Sequence, residues 1–141
     1  MLSGKGMPMT SPKDVAWSFF ELLGQNRIEQ AADLLDDDGT YWACSREVRE
    51  IMPMPMMKRF YREAFGRVQM TFKMHDALVD GNRVAIEIES FGQGAIGKYN
   101  NRYCFIMTVE AGKIRHVKEY VDTKHASEIL IPHVGDLLAP S

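Results

Sequence analysis

The fold can be predicted from three segments: DGNRVAIEIESFG at residues 80–92, YNNRYCFIMTVEAGKI at 99–114 and KEYVDTKHASEIL at 118–130. Apolar and polar residues alternate along the first two of these segments, as they also do from Val68 to Met74. A period of two predicts strands with one buried face. Turn residues separate the strands at Asp80-Gly81-Asn82 and at Glu110-Ala111-Gly112-Lys113, so the second half of the chain is predicted to be an antiparallel meander.

Helical patterns occupy the first half of the chain. The run Ser11-Pro12-Lys13-Asp14 has a hydroxyl cap, a proline at the first helical position and a carboxylate three residues after the cap. These features predict a first helix that ends at Leu23. A second short helix follows, and Asp36-Asp37-Asp38-Gly39 is expected to break the chain before a first strand at 40–44. A third helix follows Pro55, and helices before antiparallel strands indicate the α+β class.

Composition limits the classes of function. The chain has 141 residues, of which 45% are hydrophobic and 26% charged, with a formal net charge of -2. This balance predicts one globular domain at 13–130, between a flexible N-terminal segment 1–12 and a C-terminal tail 131–141. The mixed charge argues against a nucleic-acid partner. No apolar run is long enough for a membrane span and no signal-peptide pattern begins the chain, so a cytoplasmic protein is expected.

Cysteines and histidines do not form a metal-binding pattern. Cys44 and Cys104 are far apart, and each lacks a second cysteine nearby. The histidines also lack metal-ligand spacing. The sequence therefore predicts neither a metal nor another cofactor.

The three quoted segments resemble the SnoaL-like branch of the NTF2-like superfamily, most clearly in the GKI turn at 112–114 and in EYVD at 119–122. The resemblance implies an NTF2-like (cystatin-like) cone, in which N-terminal helices pack on a strongly curved, mixed and mainly antiparallel sheet around an apolar pocket. It also implies pairing into a homodimer. Members include ketosteroid isomerases, polyketide cyclases and limonene epoxide hydrolases, so the fold does not select one activity.

Glu119 is the first candidate for a catalytic residue. The resemblance to limonene epoxide hydrolase implies that it points into the cone, because a catalytic acid precedes the tyrosine of the last-strand motif there. A carboxyl in an apolar pocket has a raised pKa, which suits it to proton transfer. The alternative is a solvated glutamate on a strand, since charged side chains are seldom buried without partners.

Glu87 and Glu89 are two further candidates, and two interpretations of them conflict. Periodicity favours Ile86 and Ile88 facing the core, with both glutamates in water. The resemblance instead implies that Glu87, Glu89 and the following Phe91 share the pocket face with the last-strand acid. The arginine of the epoxide hydrolase arrangement is missing at these positions, which makes that reaction by the known arrangement doubtful.

Ligand contacts are expected from polar and aromatic residues on the same pocket face. The resemblance places Asn101 and Tyr103 there, as hydrogen-bonding groups for a carbonyl or hydroxyl, with Tyr41 on the first strand. Phe19 stands where ketosteroid isomerases have their oxyanion tyrosine, and Ala43 where they have the base. The remaining candidates are Phe60 in the third helix and Asp122, which could instead cap a helix.

Three hypotheses for function follow. The leading one is an enzyme in which Glu119, helped by Glu89 or Glu87, transfers protons on a small apolar carbonyl or hydroxyl compound, as an isomerase, cyclase or hydrolase. The second is a pocket that binds a small molecule without catalysis. The third is a dimerising accessory module, which requires a filled cone and an apolar outer sheet face, for which Val84, Ile86 and Ile88 are candidates.

Overall fold

The computed structural model describes residues 11–45 and 50–138. Three helices lie in the described part of the first half of the chain, and the first of them begins and ends within one residue of the predicted positions. Ser11 caps the first helix, since its hydroxyl accepts a hydrogen bond from the Asp14 amide. The helices are α1 Pro12–Gly24, α2 Ile28–Asp33 and α3 Met54–Ala64.

Over the described residues, six strands form one mixed sheet, which confirms the predicted α+β class. In chain order they are β1 Leu35–Ala43, β2 Met52–Pro53, β3 Gln69–Asp80, β4 Arg83–Gln93, β5 Asn100–Glu110 and β6 Lys113–Val121. Their order across the sheet is β2-β1-β6-β5-β4-β3. Among the described strands, β1 and β6 form the only parallel pair, so the first strand lies next to the last one in the sheet.

The predicted break at Asp36–Gly39 is wrong, because β1 already begins at Leu35. Leu35 pairs with Ile114, and the register then shifts before Thr40. This irregularity accommodates the acidic run beside β6. Gly39 is required there, since a Cβ at this position would lie 1.9 Å from the carbonyl oxygen of Arg115. The turn-like composition therefore marks a bulge within a strand.

Helix α1 covers the inner face of the sheet. Its apolar residues at helical spacing are all nearly inaccessible: Val15, Ala16, Phe19, Phe20 and Leu23. They face a strand whose inner side chains, Val84, Ile86 and Ile88, are completely buried. Each such side chain stabilises the fold by about 1.5–3 kcal/mol, so α1 is fixed on the sheet. The proposed use of Val84, Ile86 and Ile88 on an outer face is therefore wrong.

The chain after β6 continues the domain. Asp122 caps a short helix, α4 Thr123–His125, by accepting a hydrogen bond from the His125 amide. A π-helical turn leads into α5 Ile131–Val134, where Val134 is 1% exposed. The predicted tail thus packs on the domain as far as it is described, whereas residues 1–10 and 139–141 lie outside the described residues. In the described ranges, no helix has the length and apolar character needed to cross a membrane.

Candidate functional site

A cavity of about 600 Å³ lies between the inner sheet face and the helices. Its walls are mostly apolar and come from α1, α3, the inner face of the sheet and the segment after β6. The aromatic residues of the wall are Phe20, Tyr41, Phe60, Tyr61, Phe65, Phe72, Tyr99, Tyr103 and Phe105. This volume and lining are typical of a small-molecule site.

Glu119 lies on the wall of this cavity, as the family resemblance implied. In the sheet it pairs with Phe105 of β5 and with Ala43 of β1, so it belongs to the inner face of β6. The Tyr41 hydroxyl donates a hydrogen bond of 2.5 Å to its Oε1. The Tyr41 oxygen in turn lies 2.9 Å from the Tyr61 hydroxyl. Since Tyr41 gives its proton to Glu119, Tyr61 is the donor to Tyr41.

The surroundings of Glu119 set its protonation behaviour. Burial raises the pKa of the Glu119 carboxyl, and the Tyr41 hydrogen bond, which favours the carboxylate, acts in the opposite direction with a smaller effect. Burial and the charge of Glu119 also raise the pKa of Tyr41 and of Tyr61. Both phenols therefore remain protonated donors. The arrangement thus holds a carboxyl that keeps its proton to a higher pH than an exposed glutamate does.

A second polar group lies on the same sheet face. The Tyr103 hydroxyl lies 3.0 Å from the Ser90 Oγ and 3.1 Å from the Tyr99 hydroxyl. Asn101 donates from Nδ2 to the Tyr99 hydroxyl at 2.8 Å. Tyr103 and Tyr99 line the cavity, whereas Ser90 and Asn101 are buried behind them. Asn101 thus supports a wall residue instead of contacting a ligand itself.

The expectation that Glu87 and Glu89 share the pocket face with Glu119 is wrong. They alternate with Ile86 and Ile88, which are completely buried on the inner face, so the glutamates lie on the outer face. Glu89 binds His75 at 2.7 Å there, and its hydrogen bonds with Asn100 and His75 lower its pKa. The prediction from periodicity was correct, because successive residues of a strand point to opposite faces of the sheet.

The other candidates divide between the cavity and its surroundings. Tyr41, Phe60 and Tyr103 line the cavity as predicted. Phe19 is core: it is 1% exposed and packs edge-on against Phe20 and Tyr61. Phe91 is 39% exposed on the outer face with Glu87 and Glu89. Asp122 uses its side chain as the helix cap.

Three polar residues near the site did not emerge as candidates from the sequence. Tyr61 follows Met57 by one helical turn and could have been found from that spacing. Tyr99 precedes Asn101 and Tyr103 in the same alternation. Ser90 lies on the same strand face as the buried Ile86 and Ile88, and a polar residue in that buried position could have marked it as a candidate.

Metal ligands do not cluster in the described part of the chain. Over residues 11–45 and 50–138, no three His, Cys, Asp or Glu side chains come close enough to hold an ion. The described residues that line the cavity include no Lys, Arg or His. The polar side-chain groups of that part of the wall are therefore one carboxyl, several hydroxyls, and thiol and thioether sulfur atoms.

The fold and the cavity define the class: helices and a mixed sheet enclose a pocket in the manner of NTF2-like proteins. Within that class, a model of the SnoaL-like domain matches residues 17–117. The chain therefore belongs to the SnoaL-like family, which confirms the resemblance. The comparison with curated protein sequences finds no match.

Solved structures with the same fold include proteins of different activity. An LEH-like epoxide hydrolase from M. tuberculosis is 20% identical, with a TM-score of 0.72 over 92% of this chain and 96% of that chain. PrhC from Penicillium brasilianum NBRC 6234 is 13% identical, with a TM-score of 0.75 over 89% of this chain and 88% of its own. The BvnE pinacolase from Penicillium brevicompactum is 14% identical, with a TM-score of 0.69 over 81% and 87%. At these identities the similarity establishes the fold alone.

Proposed function

We propose that this protein is an enzyme that transfers protons on a small, mainly apolar carbonyl or hydroxyl compound bound in the cavity. The observation that supports this most is the Glu119 carboxyl, which lies on an apolar cavity wall and receives a hydrogen bond from Tyr41. A carboxyl with a raised pKa is an effective acid or base near neutral pH. The activities for which two of the similar structures are named, epoxide hydrolase and pinacolase, are compatible with such chemistry.

Glu119 is the catalytic residue of this proposal. As the carboxylate, it takes a proton from a C–H or O–H group of the bound compound. As the acid, it returns that proton to another atom, which completes an isomerisation or a cyclisation, or it activates a water molecule for hydrolysis. Tyr41 is a positioning residue, because its hydrogen bond holds Oε1 and leaves Oε2 for the ligand. Tyr61 orients Tyr41 in the same way.

The proposal is tested with a panel of ligands and a matched pair of variants. Steroids, phenols, epoxides and fatty acids are screened by thermal stabilisation, since a ligand that binds the folded chain raises its stability. Compounds that bind are then assayed for turnover with the wild type, Glu119→Gln and Glu87→Gln. Glu87 is the control, because it lies exposed on the outer face, one strand residue from the buried Ile86 and Ile88.

We expect Glu119→Gln to bind the ligand and to lose turnover by about 100-fold or more, as removal of a general acid or base does. Glu87→Gln should behave as the wild type. Equal turnover by Glu119→Gln and the wild type would refute the catalytic role. Ligands that bind without any turnover, in the wild type as well, would favour the alternative of a binding protein without catalysis.

We also propose that the protein acts as a cytoplasmic homodimer, paired through the outer sheet face. That face carries Trp42 packed on Tyr120 with ring centroids 5.4 Å apart, and Tyr120 is 40% exposed. Aromatic residues of this kind are enriched at interfaces. The accessory role without a pocket is disfavoured, because it requires a filled cone. Sedimentation of the wild type and of Tyr120→Glu tests the pairing, since a charge at the interface should yield monomers.

A further inference from the structure

The second polar group, formed by Ser90, Tyr99, Asn101 and Tyr103, contains three hydroxyls with two contacts between them. Ser90, Tyr99 and Tyr103 each carry one hydroxyl proton. The contacts between hydroxyls are Ser90 with Tyr103 and Tyr99 with Tyr103. Each contact uses one proton, so one of the three protons has no acceptor within the group.

Asn101 cannot accept the remaining proton through its contact with Tyr99. Its Nδ2 must donate, because the Asp122 carbonyl oxygen at 3.1 Å requires a donor. Its Oδ1 accepts from the Arg102 amide at 2.8 Å. These two backbone partners fix the orientation of the amide group. Asn101 therefore supplies one more proton to the Tyr99 oxygen and takes none.

Ser90 is the least favourable place for the remaining proton. Its side chain is completely buried, and Tyr103 is its only hydroxyl partner among the residues that the structure describes. A buried donor without an acceptor is strongly unfavourable. The free proton therefore belongs to Tyr99 or Tyr103, and both of these residues line the cavity.

We propose that the Tyr99 and Tyr103 hydroxyls form a binding site for the carbonyl or enolate oxygen of a flat, ring-containing ligand. This site deepens the proposed function and rests on it for the reaction, although not for binding. Tyr103 stacks on Phe105 with centroids 5.4 Å apart, and Tyr99 stacks on His125 at 5.3 Å. The two phenols are thus held in place before a ligand binds, as is required for stabilising charge on an oxygen.

The position of the site relative to Glu119 fits one ligand that contacts both. Tyr103 pairs with Val121, two residues beyond Glu119 on the neighbouring strand. The Cα atoms of such diagonal neighbours on one sheet face are about 7–8 Å apart. A ligand whose carbonyl oxygen lies at the tyrosines would therefore extend along the same sheet face toward the carboxyl. The aromatic wall favours flat rings, since aromatic side chains pack well against them.

Two probes of nearly equal shape test the site. 2-Acetylnaphthalene has the carbonyl oxygen, and 2-isopropenylnaphthalene has a CH₂ group in its place. Their affinities are measured by calorimetry for the wild type, Tyr99→Phe/Tyr103→Phe, Ser90→Ala and Glu119→Met. Ser90→Ala is the matched control, because it removes a hydroxyl from the same group while one tyrosine proton remains free. Glu119→Met removes the carboxyl as a competing donor.

We expect the wild type, Ser90→Ala and Glu119→Met to prefer the acetyl probe by about 5- to 10-fold, as one hydrogen bond allows. The double tyrosine variant should bind both probes equally. Infrared spectra of the bound acetyl probe give a second measurement, in case the double variant does not fold. Its carbonyl band should lie at lower frequency than in a hydrocarbon solvent, both in the wild type and in Glu119→Met.

Several results would overturn the site. The double variant could keep the preference for the acetyl probe, or Glu119→Met could abolish the preference or the band shift. In the wild type, the carbonyl band could lie at its hydrocarbon position, or the acetyl probe could fail to bind. If the preference depends on the tyrosines but Glu119→Gln has normal turnover with its substrate, the proposed function fails and the binding site remains. If Glu119→Met abolishes the preference, the site fails and the catalytic role of Glu119 remains.

Discussion

Replacing Tyr41 with phenylalanine removes the central oxygen of the Tyr61–Tyr41–Glu119 chain. Tyr41 is 2% exposed, so the phenyl ring should keep its packing. A hydrogen bond to a charged group contributes about 1.5–3 kcal/mol and one between neutral groups about 0.5–1.5 kcal/mol. The variant also leaves the buried Tyr61 hydroxyl without its acceptor, which costs on the order of 1 kcal/mol. We therefore expect a loss in the free energy of unfolding of about 2.5–4 kcal/mol when Glu119 is ionised and about 1.5–2.5 kcal/mol when it is neutral.

The pH dependence gives this prediction its direction. The Tyr41 hydrogen bond lowers the pKa of Glu119, so its loss raises that pKa further and penalises the ionised form in the folded chain. The destabilisation should thus be larger at about pH 8 than at about pH 4.5. Urea unfolding at both pH values measures it, with Tyr120→Phe on the outer face as the control. If Tyr41→Phe lost no more free energy of unfolding than the control, or if its loss did not change with pH, the role assigned to the Tyr61–Tyr41–Glu119 hydrogen bonds would be refuted.

Three further predictions concern the same carboxyl and the sheet that holds it. Burial raises the pKa of Glu119 in the folded chain above the ordinary 4.5. The stability that the neutral carboxyl contributes below pH 4.5 is therefore lost as the pH rises through the folded pKa. Glu119→Gln should remove this loss and should therefore have a higher free energy of unfolding than the wild type at about pH 8, measured by urea titration. Ile86→Ala should lower the free energy of unfolding by about 2–5 kcal/mol and Glu87→Ala by less than about 0.5 kcal/mol. If chemical unfolding gave similar losses for the two variants, the assignment of the two sheet faces would be contradicted. Gly39→Ala should lower the melting temperature by several degrees or prevent folding, because its Cβ would overlap the Arg115 carbonyl oxygen; an unchanged melting curve would contradict the close approach.

Alternation and capping determined most of the fold from the sequence alone. The strands β4 and β5 follow a period of two along their length, and the Ser11 cap and the Asp122 cap are local signals that depend on a few adjacent residues. The strand character of residues 35–39 did not follow from local composition, because pairing with Ile114 across the sheet overrides the turn propensity of three aspartates and a glycine. The two-residue strand β2 was missed for the same reason, since its pairing with Tyr41 is not local.

The site was less predictable than the fold. The family resemblance predicted Glu119 and Tyr103 on the pocket face, and both line the cavity. Glu89 was misplaced, because the resemblance was followed over a periodicity that proved correct. The contact between Tyr61 and Tyr41 joins a helix to a strand 20 residues away. No spacing rule within one element identifies a hydrogen bond of that kind.

The most direct measurement is the titration of the Glu119 carboxyl itself. Carbon NMR of the ¹³C-labelled side-chain carboxyl, assigned by its disappearance in Glu119→Gln, gives the pKa in the folded chain. We predict a value above the ordinary 4.5, because burial outweighs the Tyr41 hydrogen bond. A carboxyl that titrates at or below the ordinary value would mean that Glu119 is solvated or paired with a cation. In either case it would not be the proton-transferring group of an apolar cavity.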